Sequence, residues 1–368
     1  MSPSQEAALS PDSPSLSAEQ VVDRILLDAG LGELDRHAYV SLQGRNDVWA
    51  APTTSEQWVL VKRMLGQPDE VATRMRRVLD FERLASGSWP LALRTPPMVG
   101  HDASLALVIY EYQPDGVNGG QIMAEDAFPQ HLARKMGASL AQLHELDSAA
   151  VGSLDDSRPI LPSPELLEGI PDSMFESLSI NQMEVWRILQ GDAGLREGVS
   201  RLLEQERLAP RVPAHCDVRM DQFLVVDDEV ILTDWEEFRL ADAARDVGSF
   251  IGEWMYRAIL DIVTVRGDAE DAEFELDERT ILTRGVEKIL RLQPVISAFW
   301  DEYMRQRTDS AVELTDRALA FAGWHMIDRL LAGAAVRSRI SGVERAAAGV
   351  GRRLLISPGK YVRAMGMG

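Results

Sequence analysis

Cysteine is almost missing from this chain. Its 368 residues include one, Cys216, which excludes an internal disulfide and any Cys-based zinc site and fits a reducing compartment. Long apolar runs are missing too, since no stretch reaches the length that a membrane span needs. The opening "MSPSQEAALSPDSPSLSA" has neither the basic start nor the apolar centre of a secretion signal. Residues 1–18 are therefore expected to form a disordered tail, and a cytoplasmic location is expected. Basic residues are in deficit: 38 Lys and Arg stand against 58 Asp and Glu, for a formal net charge of -20. That charge repels phosphate backbones and anionic bilayers, so neither nucleic acid nor membrane is an expected partner. Part of the acid is concentrated in "GDAEDAEFELDE", residues 267–278, which reads as a solvated face.

What is present has two textures. "AYVSLQG" and "DVWAAPT" flank the turn signal Gly44-Arg45-Asn46-Asp47, "QWVLVKRM" follows the polar "TTSE", and "PPMVGHD" and "LALVIYEY" add two more strands. Between them Pro68-Asp69-Glu70 starts a helix that runs to about Ala85. After Pro114 the period changes. Phe128, Leu132, Met136, Leu140 and Leu143 recur at helical spacing, and after a Pro-rich connector most of the remaining chain reads as helix. The expected fold class is α+β, with a small antiparallel sheet plus one helix at 19–113 and a helical region at 114–368. Two such lobes would leave a cleft, a common place for a ligand.

Candidate site residues come from spacing. In "WVLVKRM", alternation places Trp58, Leu60 and Lys62 on one face and Val59, Val61 and Arg63 on the other. On the following helix Val71, Met75, Val78 and Glu82 share a stripe. A carboxylate on an apolar stripe is costly unless paired, and Lys62 is its plausible partner. A strand lysine joined to a helix glutamate is the arrangement kinases use to hold nucleotide phosphates. Further on, "AHCDVRMDQFLVVDDEVILTDWEEF" holds two short β-rich runs joined at Asp227-Asp228-Glu229. Asp217 lies on the loop entering that hairpin and Asp234 just after it, so one carboxylate can face a hydroxyl nucleophile and the other Mg²⁺. His144 reads as a packed core residue and His215 as a brace for the loop. No base adjoins Cys216 to activate its thiol. Trp324 and His325 lie in a strongly apolar helix and read as core.

These pieces resemble the aminoglycoside phosphotransferase and choline kinase-like family, which has the protein-kinase-like fold. "GASLAQLHELD" is similar to that family's helix before the catalytic loop, "HCDVRMDQFLV" to its His-x-Asp loop, and "ILTDWEEFRLADAARDVGSF" to its metal-binding segment. The resemblance implies a bilobal enzyme using ATP and Mg²⁺, with Asp217 as catalytic base, Asp234 as metal ligand and Asp246 holding the loop. It also implies that adenine meets the backbone of Glu111, Tyr112 and Gln113. Two departures stand out. Gln222 occupies the position where the family usually has Asn, so Gln222, with Asp221 beside it, is the expected second metal contact. The phosphate-covering loop "QGRNDVWA" has one glycine, which leaves Arg45 and the amides of Asn46 and Asp47 to meet phosphate. "GRNDVWA", "VRMDQFLV" and the late "GWHMIDRLLAGAA" resemble a subgroup of class V lanthipeptide and thioamitide pathways. There the kinase-like protein phosphorylates Ser or Thr of a ribosomal precursor peptide, and a partner lyase or cyclase protein follows, the lyase eliminating the phosphate. The alternatives are a small-molecule, aminoglycoside-like O-phosphotransferase and a pseudokinase scaffold that binds peptide without turnover.

Overall fold

Alternating burial builds the first sheet. In the computed structural model, which describes residues 16–42, 44–86, 93–125, 128–147, 153–265, 277–307, 311–337 and 339–368, Val59 and Val61 are fully buried while Trp58, Leu60 and Lys62 on the opposite face are half-buried. Packing divides the chain into two compact units, Met1–Leu79 with Pro96–Asp115, and Asp80–Thr95 with Gly116–Gly368.

The first unit contains α1 (Leu16–Asp28), β1 (Val40–Leu42), β2 (Asp47–Pro52), β3 (Trp58–Arg63), most of α2 (Pro68–Ala85), β4 (Met98–Asp102) and β5 (Leu107–Glu111). Its five strands pair antiparallel in the order β1-β2-β3-β5-β4. Trp49, Ala51, Val59, Val61, Leu107 and Ile109 form one core cluster with Val22 and Leu26 of α1. That helix corrects the expected tail: residues 1–15 lie outside the described residues, but Leu16–Ala18 are helical, and Ala18, Val22 and Leu26 recur at four-residue spacing and are buried. Arg63 ends the core-facing row of β3, where its Nη2 lies 3.0 Å from Asp47.

The second unit is mainly helical. It runs through β6 (Val117–Asn118), α3 (Gly119–Ala124), α4 (Gln130–His144), α5 (Pro164–Glu168), α6 (Asp172–Phe175), α7 (Ile180–Gln190), α8 (Ala193–Leu208), β7 (Arg211–Ala214), β8 (Phe223–Val226), β9 (Glu229–Leu232), β10 (Arg239–Asp242), α9 (Ala244–Leu260), α10 (Glu278–Gln306), α11 (Ala311–Val336) and α12 (Gly342–Ile356). β7 pairs with β10, and β8 pairs with both β6 and β9, all antiparallel. Asp227 and Asp228 both have positive φ, which makes the β8–β9 hairpin a two-residue turn whose twist matches its strands. Three glycines let helices touch: side chains at Gly248 and Gly252 of α9 would collide with α11, and one at Gly323 of α11 would collide with α12. Of the acidic run, residues 267–276 lie outside the described residues, and Asp277 caps α10 by accepting from the Thr280 amide at 2.6 Å. Among the described residues no helix is long and apolar enough to cross a membrane.

Candidate active site

A single buried carboxylate organises the loop that carries Asp217. Asp246, in the first turn of α9 and without solvent exposure, accepts from the backbone N–H of His215 and of Cys216, each at 2.7 Å. Its Oδ2 also meets His144 Nε2 at 3.1 Å, and His144 Nδ1 meets the Tyr303 hydroxyl at 2.7 Å. Burial alone would push Asp246 up, but the hydrogen bond and charge of His144 and the backbone N–H of His215 hold it below the usual carboxylate range. His215 is completely buried. Its Nε2–H donates to the Thr233 carbonyl at 2.8 Å, its Nδ1 accepts from the Asp217 amide at 3.3 Å, and burial pushes its pKa down. His215 is therefore a neutral strut between the Asp217 loop and the strand leading to Asp234. Burial also raises the Cys216 thiol, which is unreactive as a nucleophile.

Asp217 keeps 35% of its side chain open, enough for a ligand to reach it. Protein on its other sides pushes its carboxyl up to about 7 by burial, with Arg219 opposing and Asp234 adding to the rise. Arg219 Nη1 lies 3.5 Å from Asp217 Oδ2. The same guanidinium donates through Nε and Nη2 to the two oxygens of Asp221 at 3.0 and 3.2 Å. Gln222 is buried, and its side-chain amide donates to Asp234 Oδ2 at 3.3 Å. Asp234 and Cys216 both hold left-handed backbone, with φ of 70° and 62°. A side chain other than glycine in that region costs on the order of 1–3 kcal/mol and persists where its surroundings over-determine it. The next residue, Trp235, stacks on Phe81 at 3.4 Å between ring centroids and donates from Nε1 to Thr95 at 3.0 Å.

Of the three expected metal contacts, Gln222 and Asp234 come together, whereas the Asp221 carboxylate is taken up by Arg219. An amide and a carboxylate are the hard oxygen-bearing groups that suit Mg²⁺, which needs only one or two protein carboxylates when phosphates supply further ligands. Among the described residues there is no group of three or more His, Cys, Asp and Glu side chains able to hold a metal by itself.

The nucleotide-binding candidates fall in both units. Lys62 stands on β3 opposite Val48 and Val108. Glu82 lies in the last turns of α2; its Oε1 is buried without a hydrogen-bond partner, and burial pushes its carboxyl up to about 7. Arg45 pairs with Glu70. The Asn46 side chain is a structural acceptor, receiving Leu65 N at 3.2 Å and the buried Arg74 at 2.6 Å. The Glu111 amide donates to Pro97 at 2.9 Å and the Tyr112 amide to Trp58 at 3.0 Å, so both are engaged within the first unit; Gln113, exposed, follows them.

Two further residues that spacing did not single out bear on the Asp217 loop. Glu253, on α9, accepts from His325 Nε2 at 2.7 Å and from the Met220 amide at 3.5 Å, tying α11 to the Asp217 loop. Arg329 lies one turn beyond His325, and its charge is felt at Asp217 and at Glu253. Helix glycines at Gly248 and Gly252 were the available signal, because they mark where a second helix comes close.

Residues 40–282 match the sequence profile of a family described as "Phosphotransferase enzyme family". No curated protein matches the chain significantly. Similar solved structures include a choline kinase from Streptococcus pneumoniae, with TM-score 0.53 and 14% identity over 93% of this chain and 99% of that one. An amicoumacin kinase in complex with AMP-PNP, Ca²⁺ and Ami has TM-score 0.51 and 14% identity over 93% of this chain and 95% of that one. At such identities the likeness is one of fold: a kinase-like α+β architecture with an antiparallel N-terminal sheet and a helical C-terminal region.

Proposed function

The chain belongs to the phosphotransferase enzyme family, and from that premise we propose that it transfers the γ-phosphoryl group of ATP to a Ser or Thr hydroxyl of a ribosomally made precursor peptide. The observation that carries the chemistry is Asp217: a carboxylate open to a ligand, on a loop fixed by Asp246, next to the Gln222–Asp234 pair. Asp217 accepts the hydroxyl proton as the acceptor oxygen bonds to phosphorus and the bond to the bridging oxygen breaks, releasing ADP. Lys62 would grip the α- and β-phosphates. Mg²⁺ held by Asp234 and Gln222, with Asp221 nearby, would offset charge on the phosphate oxygens. Arg45, Asn46 and the backbone of Glu111, Tyr112 and Gln113 border the nucleotide. Positioning and fixed charge supply most of the acceleration in such transfers.

The resemblance of "GRNDVWA", "VRMDQFLV" and "GWHMIDRLLAGAA" to the kinase-like proteins of lanthipeptide and thioamitide pathways supports the peptide acceptor, and with it a cytoplasmic enzyme whose partner is a phosphate-eliminating lyase. A second candidate acceptor is a small molecule, favoured by the names of the two kinases of similar fold. Incubation with ATP, Mg²⁺ and a precursor peptide encoded beside the gene is expected to give phosphopeptide by mass spectrometry. Asp217→Asn is expected to lower the rate by roughly 10²- to 10⁴-fold. Phosphorylation of an aminoglycoside with none of the peptide would refute the peptide acceptor, and an Asp217→Asn rate equal to the parent's would refute the assigned base.

A further inference from the structure

α9 turns two acidic side chains toward one loop. Asp246 and Glu253 stand seven residues apart on the same face of the helix. Asp246 takes the amides of His215 and Cys216, where the loop begins. Glu253 Oε2 accepts from the Met220 amide, near the loop's other end, at 3.5 Å, while its Oε1 meets His325 Nε2 at 2.7 Å. The mounting is the same twice. Each carboxylate is largely buried and is held by a histidine of another helix, His144 of α4 for Asp246 and His325 of α11 for Glu253. Joining α9 to α11 needs one Glu253 oxygen, and the second goes to the loop.

That second oxygen reaches the turn that places Gln222. Met220–Gln222 form a single 3₁₀ turn in which Met220 and Gln222 are buried. Its exit is fixed, because the Gln222 carbonyl accepts from the Thr233 amide at 2.9 Å and from the Thr233 hydroxyl at 3.0 Å. One side is walled, since a side chain at Gly119 would stand 2.7 Å from the Met220 carbonyl oxygen. Glu253 holds the entry. From this turn the Gln222 amide reaches Asp234 Oδ2 at 3.3 Å, so a shift of the turn carries the amide away from that carboxylate. The 3.5 Å contact at Glu253 is weaker than the 2.7 Å contacts at Asp246. Its loss is therefore expected to misplace Gln222 rather than to unfold the chain.

We propose that Glu253 is a positioning residue of the phosphotransferase site: through the Met220 amide it sets the turn that presents Gln222 beside Asp234, and His325 holds it in that place. The proposal rests on the assignment of Mg²⁺ to Asp234 and Gln222, and not on the identity of the acceptor. Partners that orient metal ligands from behind typically change metal affinity by about 10- to 100-fold when they are removed.

The test uses the full chain with ADP and with Mn²⁺, which suits the same oxygen donors as Mg²⁺, and follows bound Mn²⁺ by electron paramagnetic resonance. Glu253→Ala is expected to weaken Mn²⁺ binding by about 10- to 100-fold with the parent's stoichiometry at saturation, which a partly unfolded sample cannot give. Glu253→Gln is expected to restore most of the loss, because its oxygen can accept from the Met220 amide and its NH₂ can donate to the other tautomer of His325. Gly119→Ala pushes on the same turn from the opposite element and is expected to weaken binding too; it decides the matter alone if Glu253→Ala does not fold. Affinity equal to the parent's in the folded variants, or Glu253→Gln as weak as Glu253→Ala, overturns the proposal and leaves the metal pair standing. No Mn²⁺ bound by the parent with ADP overturns both.

Discussion

Replacing Asp246 by Asn removes one charge and exchanges one acceptor oxygen for a donor at the centre of the Asp217 loop. Three donors converge on this side chain: the amides of His215 and Cys216 at 2.7 Å each and His144 Nε2 at 3.1 Å. Asn keeps one oxygen, so whichever way the amide is turned at least one buried N–H faces another N–H. Hydrogen bonds to a charged group contribute about 1.5–3 kcal/mol, and an unmet buried donor costs about 1–3 kcal/mol. The expected destabilisation is therefore about 2–4 kcal/mol, a large share of the 5–15 kcal/mol or so that typical folds have. Asp246 is held below the ordinary carboxylate range. Its stabilising charge is thus fully present above the unfolded Asp value of about 3.9 and is lost as pH falls through the lower folded value. Urea unfolding followed by tryptophan fluorescence should show the full gap between parent and Asp246→Asn at pH 7, and a narrowing gap as the pH drops below about 4. A gap at pH 7 under about 0.5 kcal/mol would refute the reasoning, because the three donors would then have alternative partners.

Two further substitutions follow from buried groups of the second unit. Glu82 has its carboxyl raised to about 7 from 4.5 by burial, so the native state keeps a proton that the unfolded chain gives up. Stability contributed there is lost as pH rises from about 4.5 to about 7. Glu82→Gln in the nucleotide-free protein is expected to be more stable than the parent at pH 8, by on the order of 2 kcal/mol, and nearly equal to it at pH 4.5; thermal melts showing the same offset at both pH values would contradict this. Phe81 is fully buried, stacks on Trp235 at 3.4 Å and meets Phe238 edge-on at 5.3 Å. Phe81→Ala is expected to cost about 3–5 kcal/mol and to change Trp235 fluorescence, and a loss below about 1 kcal/mol would show that neighbouring side chains collapse into the gap.

The strands were legible because each carries its own signal. β2, β3 and β5 alternate or run apolar between turn residues, and α2 begins at Pro68 as Pro-Asp-Glu implies. The hairpin β8–β9 was legible for the same reason. α1 was not anticipated, although Ala18, Val22 and Leu26 form a helical row, because the Ser- and Pro-rich start before it reads as a tail. The order of Asp217, Gln222, Asp234 and Asp246 could be read along the chain, since all four sit within one local stretch. Glu253 and Arg329 could not. Their relation to Asp217 depends on α11 packing on α9, with His325 and Glu253 72 residues apart, and no local pattern encodes that meeting. The side chain of Asn46 is likewise spent on partners that its own turn does not announce, Leu65 and Arg74, while the expectation at this position concerns its backbone amide.

The His215 and Cys216 amides end on a carboxylate sealed inside the protein, so solvent deuterium reaches them only when α9 releases the loop. Amides held in this way exchange at the slow end of the scale, together with core helices rather than with surface loops. The segment that leads to Asp217 is in that sense a piece of core that happens to reach the surface. Its shape is set when the chain folds, and an arriving substrate has little left to order there.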